Sequence, residues 1–288
     1  MKAAILVPVD NTPISKEVLR VADEWATRME TRLVVLHCRS TAIQELIDRG
    51  ELQSPEPNFE EQIKTLQLSA EWEVVHLSAD PADGILKQQQ ELKPALIIMA
   101  AHSHTMMGRL FLGSNTDMVL HQSSSPVFVY KQTERDPRQI IVPLDFSPIS
   151  EQLLRKADEI ALSRQGNLHL LHVLDYPEVP VVGGGAFYGV AIDGNFLQER
   201  REQQLEQGKK DMDALLAKVG LQSPYQVHLD FGTPYLQTLQ FVERVNAGLI
   251  VIGTQERTAL GRLLLGSNTD YLVHNFEGSL YVHKEPQR

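Results

Sequence analysis

Two stretches of this chain carry residues whose types and spacing suit the holding of an anion. One runs Gly253-Thr-Gln-Glu256, then nine residues, then Gly266-Ser267-Asn268-Thr269. The other runs Ala100-Ala-His-Ser103, then nine residues, then Gly113-Ser114-Asn115-Thr116. Glycine lets backbone N–H groups come close to phosphate oxygens. A Gly-Ser pair at a helix start adds a hydroxyl and the free N–H groups of the first turn, a favourable place for negative charge. The same pair can be no more than a helix cap, and the residues alone leave both readings open. Asp10 and Asp145 each follow an apolar run, where a carboxylate can cap the next turn or contact a ligand. His102 and His104 have metal-ligand chemistry, but no third ligand lies near them in sequence, so they read as loop residues. His37 and His172 read as polar members of strand edges. Arg109 and Arg262, each four residues before its glycine, can reach a phosphate or simply be solvated. Cys38 is the only cysteine, so no internal disulfide forms, and it reads as packing rather than as a nucleophile. Neither Gly-x-Ser-x-Gly nor the Walker Gly-x4-Gly-Lys-(Ser/Thr) occurs, and no catalytic signature stands out.

The elements that must position these residues occur twice. Residues 5–38 and 140–173 align without gaps at an offset of 135, with 16 of 34 positions identical. The shared segment includes Pro-x-Asp-x-x-Pro-Ile-Ser at Pro8–Ser15 and Pro143–Ser150. Gly108–Asp117 and Gly261–Asp270 match at an offset of 153, so the second half holds about 18 extra residues between the two matches. These follow Leu174, near residues 176–197, and their glycines and apolar residues read as a lid, a partner surface or a packing loop. In the first half, strand runs at residues 4–8, 33–37, 72–77, 95–99 and 126–130, the first two read as buried, alternate with helical patterns near 13–28, 41–50, 58–69, 81–92 and 114–121. Alternation of this kind implies parallel strands joined by right-handed crossovers. The expected fold is therefore α/β: two tandem doubly wound domains, each a five-stranded parallel sheet. The domains are expected at 1–133 and 134–288, with a polar linker near Lys131–Arg138. Ligands of such sheets bind at the carboxyl ends of the strands.

Composition narrows the partners. The chain has 288 residues, 42% hydrophobic and 22% charged, which is ordinary for a globular protein. Its formal net charge of −10 argues against non-specific nucleic-acid binding. No apolar run is long enough to span a bilayer, and the N-terminal run is too short for a signal-peptide core. A cytoplasmic protein without membrane partners is the expectation.

With these motifs in view, the chain resembles the universal stress proteins, whose signature is Gly-x2-Gly-x9-Gly-(Ser/Thr) after the fourth strand. The resemblance extends over both halves and includes the opening Val-Pro-x-Asp and the Leu-His that ends the second strand. It implies an adenine-nucleotide site in each half, for ATP with or without Mg. In the first half that site would comprise Asp10 and Cys38 beside adenosine, with Ala100, Ser103, Gly113, Ser114 and Asn115 at the ribose and phosphates. In the second it would comprise Asp145, Val173, Gly253, Glu256, Gly266, Ser267 and Asn268. Ala100 and Ser103 depart from the signature by adding side chains where glycine is usual, and Glu256 brings a carboxylate that repels phosphate unless it turns away or meets a metal. The resemblance also implies edge pairing of the fifth strands, Pro126–Tyr130 and Leu280–His283, inside one chain, so that the two domains form a pseudo-twofold dimer; association of two chains is left open. The implied role is a stress-response regulatory protein that binds nucleotide without strong catalysis. The alternatives are an interaction protein that has lost the pocket and a slow ATPase.

Overall fold

The computed structural model describes residues 3–10, 12–51, 59–101, 112–176, 194–254, 256–257 and 263–284. In chain order the first half contains β1 (Ala4–Val9), α1 (Pro13–Arg28), β2 (Arg32–Arg39), α2 (Thr41–Asp48), α3 (Phe59–Thr65), β3 (Trp72–Ser78), α4 (Pro81–Leu92), β4 (Leu96–Ala100), α5 (Ser114–Gln122) and β5 (Val127–Tyr130). The second half contains β6 (Asp136–Pro143), α6 (Ser150–Arg164), β7 (Asn167–Leu174), α7 (Gly194–Val219), β8 (Tyr225–Phe231), α8 (Pro234–Val245), β9 (Ala247–Thr254), β10 (Glu256–Arg257), β11 (Leu263–Leu264), α9 (Ser267–Asn275) and β12 (Ser279–Lys284).

The chain forms two compact units, one of Met1–Glu134 with Ile252–Arg288 and one of Arg135–Val251. In the first unit the strand order is β3-β2-β1-β4-β5-β12. The pairs among β1 to β5 are parallel. This is the doubly wound order, with the switch point between β1 and β4. The apolar runs account for it: Ile5, Leu6, Val7, Leu33, Val35, Ile97 and Ile98 are all fully buried, as strands covered on both faces must be. Pro13 and Pro81 stand at the first turn of α1 and α4, where a missing N–H costs nothing. Lys93 ends α4 in the left-handed region at φ 46°, its N–H donating to Gln89 O. In the second unit the order is β9-β6-β7-β8, again parallel.

The two runs expected to pair at their edges do so within the first unit. β12 lies antiparallel to β5, with Leu280 opposite Val129 and Val282 opposite Val127. Two lysines tie the pairing to the helices. The Lys131 ammonium donates to Val273 O at 2.8 Å and Phe276 O at 2.7 Å, at the end of α9. The Lys284 ammonium donates to Leu120 O, near the end of α5. Each repeat's lysine thus caps the C-terminal carbonyls of the other repeat's helix, where positive charge is favoured. Both are 2% exposed, and burial pulls each ammonium down to about 8. Trp25 fills the space beneath, its ring 5.4 Å from that of Phe128 and 5.8 Å from that of Tyr281.

Three local features differ from the sequence reading. The second half has one 26-residue helix, α7, where the first half has the two short helices α2 and α3. The segment around Glu256 is not wholly a loop: Glu256 pairs with Leu264 and Arg257 with Leu263 in a short antiparallel ladder. His37 is not a strand-edge residue in contact with water but is buried at 7% exposure, because α3 lays Phe59 over it with ring centres 5.2 Å apart. Most of the extra segment near 176–197, together with His102, Ser103, His104, Arg109 and Arg262, lies outside the described residues.

Candidate nucleotide site

The site begins at the turn between β1 and α1. Asp10 is the first residue beyond β1, and its Oδ1 accepts hydrogen bonds from the Thr12 N–H at 3.0 Å, the Ser15 hydroxyl at 2.8 Å and the Thr12 hydroxyl. The Ser15 hydroxyl in turn accepts from the Asp10 N–H at 3.2 Å. One carboxylate oxygen therefore shapes the turn, which is the capping role that the residue types allow. The repeat reproduces the arrangement: Asp145 Oδ1 accepts from the Ser147 N–H at 3.0 Å, the Ser150 hydroxyl at 3.2 Å and the Ser147 hydroxyl.

The turn opens onto a cavity of about 340 Å³ at the carboxyl ends of β1, β2 and β4. Its walls are Pro8, Val9, Asp10, Ser15, Val18, Leu36, Cys38, Pro81, Ile85, Met99, Ala100, Gly113, Ser114, Asn115 and Thr116. Six of the seven first-half residues proposed from sequence thus meet around one space: Asp10, Cys38, Ala100, Gly113, Ser114 and Asn115. Ser103, the seventh, lies outside the described residues. Ser15, Pro81, Ile85 and Met99 were not foreseen. Ser15 had a signal, since Pro-Ile-Ser repeats after each aspartate; Ile85 and Met99 are apolar residues of a helix and a strand with no such signal. A second cavity of about 210 Å³ shares Asp10 and Ser15 and continues beneath α3 past Lys16, Phe59 and Ile63.

Its lining divides by chemistry. Val9, Val18, Leu36, Ile85 and Met99 form an apolar floor suited to a flat ring. The opposite side is the start of α5. Gly113 is the N-cap, in extended conformation at φ −66° and ψ 147°, and no side chain caps the helix. Ser114 is therefore the first helical residue rather than the capping hydroxyl, and Ser114 and Asn115 are both exposed. Uncapped first-turn N–H groups at a cavity mouth attract an anion. Thr116 anchors the helix start by donating from its hydroxyl to Ala100 O at 3.2 Å. Among the described residues no lysine or arginine lines the cavity.

Cys38 projects between β2 and α4. A β-carbon built on Gly84 would sit 2.6 Å from Cys38 Sγ, so the glycine exists to admit the sulfur. Burial pushes the thiol up to about 11, which leaves it neutral at pH 7 and unfit as a nucleophile. His37, its neighbour, is held below the usual imidazole value by burial, by His76 and by Arg39. Among the described lining residues the titratable groups are Asp10 and Cys38.

The second-half residues fall in different units. Asp145 and Val173 belong to the second unit, at the end of β6 and on β7. Gly253, Gly266, Ser267 and Asn268 belong to the first, on β9 and at the start of α9. Gly266 is the N-cap of α9, again without a capping side chain, so Ser267 repeats the position of Ser114. Glu256 sits on β10.

Comparison with known proteins shows the family and the fold. The sequence profile of the universal stress protein family matches residues 1–131 and again 137–284. Universal stress protein MJ0531 of Methanocaldococcus jannaschii is 27% identical over 151 residues, covering 52% of this chain and 84% of that protein. Universal stress protein E of Escherichia coli is 22% identical over 223 residues, covering 72% of this chain and 66% of that protein. A universal stress protein of Archaeoglobus fulgidus shares the fold with a TM-score of 0.66 at 22% identity, covering 98% of each chain. No helix among the described residues is long and apolar enough to cross a membrane.

Proposed function

The chain belongs to the universal stress protein family, and on that premise we propose that its first half binds an adenine nucleotide as a regulatory ligand rather than turning it over. The observation that carries this reading is the convergence of Asp10, Cys38, Ala100, Gly113, Ser114 and Asn115 on one cavity at the strand ends. The base would lie on the apolar floor, with Asp10 toward the sugar hydroxyls. The phosphates would point at the uncapped start of α5. Ala100 supplies only a methyl group where the family signature has glycine, and its exposure is intermediate, which leaves room for that approach. The Cys38 thiol is neutral and Asp10 Oδ1 is engaged by the Thr12 and Ser15 side chains in the turn, which supports binding over hydrolysis.

The test is direct. Protein purified without added nucleotide is denatured, and the released small molecules are separated and identified. The nucleotide-free protein is then titrated with ATP by calorimetry, with and without Mg. Co-purified adenine nucleotide, or saturable heat at one site, supports the reading. No nucleotide and no heat at millimolar ATP would overturn it in favour of an interaction protein, a reading for which the lack of a described lining cation speaks. Phosphate release above a protein-free control, lost in Ser114→Ala, would instead identify an ATPase.

A further inference from the structure

Helices α5 and α9 each carry an aspartate in the first turn and a histidine four residues later: Asp117 with His121, and Asp270 with His274. Residues four apart lie on one face of a helix. In the first unit these two faces meet. His121 Nε2 lies 3.5 Å from Asp117 Oδ1 and 3.5 Å from Asp270 Oδ1. His274 Nε2 lies 3.4 Å from the same Asp117 Oδ1.

The protons of this cluster admit two arrangements. His274 Nδ1 is 2.8 Å from the backbone oxygen of Asp270 and must donate to it. In the neutral ring Nε2 then carries a lone pair, and it faces a carboxylate oxygen that has only lone pairs. Asp117 Oδ1 is shielded from water, although its side chain is 38% exposed, and it has no hydrogen-bond partner among the described residues while two imidazole nitrogens converge on it. Acceptors facing acceptors repel unless a second ring proton or a metal ion lies between them, and the zinc titration below separates these two cases. The two His121–carboxylate spacings of 3.5 Å are those of metal ligands: bonds of about 2.0–2.2 Å in a tetrahedral site separate the ligands by about 3.3–3.6 Å. The ligand atoms of Asp117, His121 and Asp270 all lie within 4.8 Å of one another.

We propose that Asp117, His121 and Asp270 form a binding site for a divalent transition-metal ion, zinc being the best fit, with His274 as the nearest further donor. Two carboxylates and an imidazole suit zinc, and three protein ligands leave a position open. The His274 Nδ1 hydrogen bond to a carbonyl is the kind of contact that orients a metal-bound imidazole. The ion would join the helix after the first glycine loop to the helix after the second, away from the floor of the nucleotide cavity. The proposal does not depend on nucleotide binding.

The experiment uses untagged full-length protein, stripped with chelator and titrated with zinc against a chromophoric competitor. Cobalt(II) serves as a spectroscopic substitute. The chain has ten histidines, so location must be shown by variants. Asp270→Asn and His121→Gln nearly keep shape, and far-ultraviolet circular dichroism checks their folding. Expected are one zinc per chain, the intense visible bands of four-coordinate cobalt, a raised thermal midpoint with zinc, and at least a tenfold loss of affinity in each variant. Should one of them fail to fold, Asp117→Asn provides the same comparison. No zinc binding at micromolar concentration, or wild-type affinity in the folded variants, would overturn the proposal.

Discussion

Gly84→Ala tests the packing that shapes the nucleotide cavity. Gly84 lies in the first turns of α4, and its N–H donates to Asp80 O at 2.9 Å. In open surroundings alanine would stabilise this helix by about 1 kcal/mol. Here the new methyl would stand 2.6 Å from Cys38 Sγ, while Ala79 Cβ at 3.5 Å and Cys38 Cβ at 3.8 Å are ordinary contacts. Relief of that overlap costs about 1–3 kcal/mol by displaced side chains and backbone. Removing the sulfur removes the overlap, so in a Cys38→Ala background the same substitution should stabilise. The double-mutant cycle therefore predicts a coupling of about 1–3 kcal/mol, read from urea unfolding midpoints at constant slope. Cys38 also lines the cavity, so the displaced sulfur should weaken nucleotide binding in Gly84→Ala, and the double variant should recover it. Additive stabilities to within about 0.5 kcal/mol would refute the reasoning, because the two side chains would then not share the space.

Two further predictions concern pH. His37, His169 and His228 are held below their ordinary values, chiefly by burial. Below about pH 6.5 the unfolded chain therefore binds more protons than the folded one, and stability should fall as pH drops from 7.5 to 5.5. A urea midpoint that stays flat across that range would contradict the burial of these rings. Lys131 and Lys284 are lowered to about 8, so above that pH the folded state releases protons that the unfolded chain keeps. Stability should rise between about pH 8 and 9, by about 1 kcal/mol for each lysine, before Cys38, which is raised, acts in the opposite sense from pH 9. Lys131→Met and Lys284→Met should each remove part of that rise; an unchanged slope would contradict the lysine burial.

Much of the first half was legible in the residues. Short runs such as Ala4–Val7 and Leu33–Leu36 could only be doubly covered strands, and Pro13 and Pro81 marked helix starts. The turn at Asp10 was legible because its aspartate and serine recur together at Asp145 and Ser150. Other features were hidden because they depend on residues far apart in the chain. Nothing near Lys131 announces that its ammonium reaches the end of α9, 142 residues away. The repeated Asp-x3-His was in plain view, but only the packing of α5 beside α9 turns two helix faces into one cluster. Nothing beside Gly84 in the sequence shows that Cys38 packs against it. The single helix α7 was missed because its polar sequence has little apolar periodicity to announce it.

The central claim is that adenine nucleotide sits in the first-half cavity with its phosphates at the start of α5. Ser114→Glu tests it most directly. Ser114 is exposed and begins the helix, where a carboxylate favours folding, so the variant should remain folded. The new charge would stand where the phosphates are proposed to lie, and a repulsion of about 1.4 kcal/mol or more corresponds to at least a tenfold loss. Calorimetric titration of nucleotide-free wild type and Ser114→Glu with ATP and with adenosine should show that loss for ATP and an adenosine affinity unchanged within about twofold. ATP affinity equal in the two proteins would contradict the account, as would ATP and adenosine weakening alike.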